Sequence, residues 1–167
     1  MINSKFDIKS LPEIQDIACN NVNKILDNIK DNYKLLKCNA YNLVIASLNY
    51  NLTKSTIYYN LLYYVEISIK YYLIVASELN VEEVEKYGHD IYRLISLAKQ
   101  FNNSFEKLRF LLEKIKDKSN KKVDLSKYYN YKYNKGIGET PLIFEPEISS
   151  NERKNVKEVI EWLNLHI

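Results

Sequence analysis

Apolar residues along this chain recur at the three- and four-residue intervals of amphipathic helices, and the polar clusters between them sit where helices start and stop. Ser10-Leu11-Pro12-Glu13 has the order of a helix N-terminus: Ser10 is placed to cap, Pro12 is tolerated in the first turn, and Glu13 faces the positive end of the dipole. Ile14, Ile17, Ala18, Val22, Ile25, Leu26 and Ile29 follow at helical spacing and define one stripe, expected to be buried, on a helix expected to end near Asn32. The pattern from Ala40 through Leu43, Val44, Ala46, Ser47 and Leu48 either continues that helix after a kink or forms a separate one, and spacing alone does not decide. Thr53 to Thr56 supplies capping residues for the longest apolar segment, Ile57 to Leu79, on which Leu61, Leu62, Val65, Ile69, Leu73 and Ala76 share a face. Tyr58, Tyr59, Tyr63, Tyr64, Tyr71 and Tyr72 flank that face in pairs, as side chains with a buried ring and a polar tip do.

Asn80-Val81-Glu82-Glu83 reads as a cap followed by an acidic first turn, so a short acidic helical piece is expected before Gly88. Ile91, Leu94, Ile95 and Ala98 then predict a third amphipathic helix, and Phe105, Leu108, Leu111, Leu112 and Ile115 a fourth. Ser149-Ser150-Asn151-Glu152 offers a fresh cap, with Val156, Val159, Ile160, Leu163 and Leu165 on a closing helix over about 150–165. The expected fold is all-α, an up-and-down helical bundle of four to six helices forming a single domain over 1–167. Its core spans about 11–116, with an irregular Lys- and Tyr-rich region over about 117–148.

Composition agrees with that outline. Only three Gly and three Pro occur in 167 residues, too few to punctuate a sandwich or barrel, while a 46% hydrophobic content suffices for one buried core. A net charge of +3 gives a whole-molecule field too weak to demand a nucleic-acid partner, which leaves that question to local patches. Cys19 and Cys38 fall in helical segments and are expected to be reduced packing residues. Neither a metal site nor a cofactor is expected, and without a signal-like or spanning apolar run the chain is expected to be soluble and cytoplasmic, with no membrane association.

The chemistry-bearing residues concentrate between Tyr58 and Gln100. Glu66 and Lys70, four residues apart on an apolar helix, are expected to be semi-buried and either to brace the His89 turn or to line a ligand pocket. His89 and Asp90 begin the next helix. Asp90 suits the positive end of the dipole, and the His89 imidazole is placed to bond Glu66 or a nearby carbonyl. His89 with Arg93, four apart, would alternatively supply the base and the cation that metal-independent RNA cleavage needs. From Lys114 to Lys135, lysines interleaved with tyrosines offer phosphate contacts and base stacking for single-stranded RNA.

Tyr58-Tyr59-Asn60, Val65-Glu66-Ile67-Ser68-Ile69-Lys70-Tyr71-Tyr72-Leu73, Gly88-His89-Asp90-Ile91 and Leu94-Ile95 together resemble the HEPN domain family of nucleotide-binding helical bundles over about residues 54–100. In that family a helix carrying Glu and Lys precedes a His-Asp-aliphatic helix start, and an Arg-Tyr or similar pair comes later, where Lys132-Tyr133 would stand. The resemblance implies homodimerisation across the helices that carry the motif. It also implies roles in RNA or nucleotide binding, RNA cleavage, toxin-antitoxin pairs or antiviral defence. Nuclease members place an Arg four to six residues before a His; here Glu82, Glu83, Val84 and Glu85 stand four to seven residues before His89, and Arg153 lies thirteen residues before His166. The resemblance therefore points to an RNA- or nucleotide-interacting homodimer without the usual nuclease pair. Its rivals are a ribonuclease using His89 and Arg93, and a non-catalytic module serving a protein partner such as a nucleotidyltransferase.

Overall fold

The structure, a computed structural model, describes residues 11–77, 79–116, 122, 123, 125 and 147–167, with side chains on the first helix described at 24, 25 and from 27 onward. Six helices account for most of these residues: α1 (Leu11–Asn49), α2 (Lys54–Val75), α3 (Val81–Glu85), α4 (Ile91–Phe101), α5 (Phe105–Glu113) and α6 (Ser150–His166). They form an all-α bundle in which α1 lies along α2, α2 meets α4 and α6, and α5 bridges α4 and α6. No helix among the described residues is long and apolar enough to cross a membrane.

α1 does not end near Asn32 but runs unbroken for 39 residues. Neither Gly nor Pro occurs between Glu13 and Asn49 to interrupt it, and the polar stretch after Asn32 consists of residues that a helix accepts on its outer faces. Among its described side chains, Ala40, Val44, Ser47 and Leu48 are buried in the core. It stops at Asn51, whose φ of 50° is the left-handed conformation that Asn tolerates better than most residues. The Leu52 amide then donates to the Ser47 carbonyl at 3.0 Å. Arg153 donates to the Leu48 carbonyl at 2.8 Å and to Asn51 Oδ1 at 2.7 Å, so α6 helps satisfy the end of α1. The sequence stripe expected to be buried is not buried within the chain at Ile25, which is exposed. Cys38 is likewise exposed rather than packed, and the side chain of Cys19 lies outside the described residues.

α2 is the centre of the core. Thr53 caps it by accepting from the Thr56 amide, and from Leu61 to Lys70 every residue but Tyr63 is buried. A helix buried on most sides cannot have one polar face in water, which is why its apolar positions show little helical contrast. It ends before the expected limit, so that Ala76 is its exposed C-cap and Leu79 lies beyond it. The paired tyrosines divide: Tyr58 and Tyr64 are fully buried, with Tyr64 donating to Asn164 Oδ1 at 2.7 Å, whereas Tyr59, Tyr63, Tyr71 and Tyr72 are half-buried. Phe105 joins the layers, its ring 4.8 Å from Tyr72 on α2 and 5.4 Å from Trp162 on α6. α6 starts with the capping box formed by Ser149 and Glu152, and Lys54 bonds Glu152 across from the start of α2.

Candidate functional site

The junction between α3 and α4 is built from local signals. Asn80 caps α3 by accepting from the Glu82 amide at 2.9 Å. The chain then turns through Lys86 to His89, where the Gly88 amide donates to the Glu85 carbonyl at 2.9 Å and the Asp90 amide to the Tyr87 carbonyl at 3.2 Å. Gly88 has a φ of +56°, a conformation costly for a residue with a Cβ. Asp90 is the N-cap of α4, accepting from the Arg93 amide at 3.1 Å. The next amide, that of Ile91, reaches out to the Leu125 carbonyl at 3.3 Å and ties the junction to the segment after α5.

A Cβ built at Gly88 meets nothing within 4 Å, so a substitution there strains the backbone alone. Gly88→Ala is expected to cost about 1 kcal/mol, lowering the melting temperature by about 2–4 °C, and Gly88→Asn less than that. Thermal melts of the two variants measure this directly; a drop for Asn as large as for Ala would count against the left-handed turn.

This turn aims the His89 ring at α2, where Nδ1 lies 3.0 and 3.1 Å from the two carboxylate oxygens of Glu66. An ionised carboxylate only accepts, so the bond assigns the proton to Nδ1. Glu66 is buried and also meets the buried Lys70 ammonium at 3.1 Å, one helical turn along α2. Lys70 in turn donates to Glu85 at 3.0 Å, and the Tyr33 hydroxyl of α1 donates to the other oxygen of Glu85. Tyr33, Glu85, Lys70, Glu66 and His89 thus form one continuous chain of polar contacts across α1, α3, α2 and the turn. Burial works against the charge on Glu85, but the bonds from Tyr33 and Lys70 and the Lys70 charge outweigh it and hold that carboxyl below the usual range. Burial, then the hydrogen bond to Glu85 and its charge, push the Tyr33 hydroxyl above its ordinary value.

The arrangement fixes an imidazole by a buried carboxylate that a buried ammonium compensates, while the imidazole side chain stays 61% exposed. Glu66, Lys70 and His89 are brought together, and Asp90 acts beside them as a cap. His89 precedes α4 and turns to Glu66 on α2. The Arg93 guanidinium lies instead over the Tyr87 ring, 5.3 Å from its centroid. Lys132 and Tyr133 lie outside the described residues. In the described part of the lysine-rich stretch, Lys114 is paired with Glu158 at 2.9 Å and Lys122 with Glu113 at 3.1 Å. No cluster of three or more metal-ligating side chains occurs among the described residues. Tyr33 and Glu85 were not legible as members of the site: Glu85 reads as one more acid in the first turns of a short helix, and Tyr33 as one of fifteen tyrosines. No family model, no curated protein and no solved structure matches the chain.

Proposed function

We propose that this chain is a HEPN-like, cytoplasmic module that interacts with RNA or nucleotides in a defence, toxin-antitoxin or stress system, without the Arg and His pair of the nucleases. The observation that carries the reading is the division of partners at the α3–α4 junction: Glu66 holds His89 while Tyr87 carries Arg93. Cleavage by in-line attack of a 2′-hydroxyl needs a base and a cation converging on one phosphate, and here the two groups are steadied by separate neighbours. His89 and Arg93 are both exposed at this junction, on the surface where a binding module would meet a phosphate.

A mixed RNA pool, incubated in chelator with the purified protein and with its His89→Ala variant, is expected to stay intact in both. Filter retention of the same pool is expected to weaken steeply as salt rises, as it does for any protein that neutralises phosphates. One feature favours the ribonuclease reading: a carboxylate-oriented, solvent-facing imidazole is what a general base looks like. Cleavage by the native protein that disappears in His89→Ala would establish that reading instead. Absence of both cleavage and retention would leave the module serving a protein partner, with a nucleotidyltransferase the first candidate.

A further inference from the structure

We infer that the outer face of α5, with the neighbouring face of α6, docks an acidic amphipathic helix of another protein. Phe110 marks the place, since this large apolar side chain is 59% exposed within the nine-residue α5. Its neighbours on the helix surface are the residues three and four away, Glu106, Lys107, Glu113 and Lys114. At 3.6 residues per turn the two carboxylates fall on one flank of the ring and the two ammonium groups on the other. An exposed aromatic ring fenced by charged side chains has the layout of a contact centre with a polar rim.

α6 extends this face. The two helices run antiparallel: Phe105 at the start of α5 meets Trp162 late in α6, and the Lys114 carbonyl just past the end of α5 accepts from Asn155 early in α6 at 3.4 Å. The lysine flank of Phe110 turns toward α6. Lys114 bonds Glu158 at 2.9 Å, and that bond, followed by the charges of Lys114, Lys154 and Lys107, holds the Glu158 carboxyl below its usual range. On α6, Lys154, Glu158, Glu161 and Leu165 fall within a sector about 60° wide, and Leu165 is 80% exposed. Two helices lying side by side present a shallow groove, the shape that a third helix fills, with Phe110 and Leu165 as its exposed apolar points.

Charge identifies the occupant. On the carboxylate flank Lys99 bonds Glu106, and Glu113 meets Lys122 at 3.1 Å and Arg109 at 3.5 Å. Lys116, bridged to Lys122, and Lys157, one turn before Glu161, are exposed beside them. With Lys107, Lys114 and Lys154 these make eight cations against Glu106, Glu113, Glu158 and Glu161, a surplus of four in a chain whose total is +3. That surplus demands an acidic occupant. The interleaving of signs demands a protein. A nucleic-acid strand or an anionic lipid surface repeats one charge and would set it against Glu106 and Glu113, whereas a helix can place cations there and its carboxylates over Lys107 and Lys114. A helix laid along the 17 residues of α6 spans about 25 Å, so a strip about 10 Å wide buries roughly 500 Å² over both partners, the size of a transient contact. The surface shares no residue with the His89 junction, and the inference does not rest on what that junction binds.

A phage-displayed library of random peptides, each long enough for about four helical turns, is the probe, selected on the full chain. Enriched peptides are expected to be net acidic, with apolar residues three and four apart, and to bind as synthetic peptides with a Kd of about 10–100 μM in fluorescence anisotropy. Phe110→Ser, and separately the double change Lys107→Glu with Lys114→Glu, are each expected to weaken that binding at least about tenfold with unchanged helical circular dichroism, while Lys34→Glu on α1 leaves it intact. Should the serine variant lose structure, the double lysine variant, at exposed positions, decides alone. Enrichment of basic or uncharged peptides, no enrichment at all, or peptides held equally by the folded variants would overturn the inference. So would binding of oligouridine RNA that the same variants lose while no peptide is enriched, which would give the face to a nucleic acid.

Discussion

Lys70→Ala is expected to lower the melting temperature by about 6–12 °C, from a loss of about 3 kcal/mol, the low end for breaking a buried ion pair by removing one partner. The size follows from what is left behind. Without the ammonium, the buried Glu66 carboxylate keeps the His89 bond but loses the Lys70 ion pair, and Glu85 loses the cation that joins it to α2. Desolvating a carboxylate with less compensation is expensive, and the cost falls on the folded state. Glu66→Ala is expected to cost less, because Lys70 retains Glu85 at 3.0 Å and that carboxylate is partly solvated. The double change Glu66→Gln with Lys70→Met is expected to recover most of the Lys70→Ala loss, since it removes both charges and keeps the volume. Thermal or urea melts of the three variants decide the matter. A Lys70→Ala shift under about 2 °C, or a double variant no better than the single, would mean that the pair is solvated in solution and is not a brace.

The elements that the sequence made legible are those whose signals are local. Thr53, Asn80 and Ser149 were readable as caps from their polar type at the start of a helical pattern, Asp90 as an acid at a helix start, and all four are N-caps in the structure. α4 was readable because its buried residues Ile91, Leu94, Ile95 and Ala98 lie on one side of a short helix. α1 was misjudged at Asn32 for the converse reason. Several positions there are exposed among the described residues, and a helix with one side in solvent can show the same loss of period as a helix that ends. Within the site, Glu66, Lys70, His89 and Asp90 stood out by spacing and rarity. The links to Tyr33 and Glu85 span 52 and 15 residues and depend on how the helices pack, which no single-helix period encodes. The same limit applies to Arg93. Its distance along the chain from His89 suggested a shared face, but no helical period shows the Tyr87 ring beneath its guanidinium.

Phe105→Ala is expected to be the most damaging single truncation, costing about 3–5 kcal/mol and lowering the melting temperature by about 6–20 °C. The side chain is fully buried where three helices meet, with Tyr72 on one side and Trp162 on the other, so neither neighbour can move into the gap without leaving its own helix position. Deleting the ring removes its transfer energy, leaves a cavity, and ends two aromatic contacts worth about 0.5–1.5 kcal/mol each beyond area. Trp162→Phe is the informative contrast. The indole Nε1 is buried and has no hydrogen-bond partner among the described residues, so its donor is desolvated without return. Replacement by Phe loses some packing but removes that unsatisfied group, and the net change is expected to stay within about 1.5 kcal/mol. Melts of the two variants side by side separate the effects of volume and polarity. A Phe105→Ala variant as stable as Trp162→Phe would mean that α5 is not locked between α2 and α6, and the layer would have to be held by the aliphatic contacts of Leu108 and Leu112 instead.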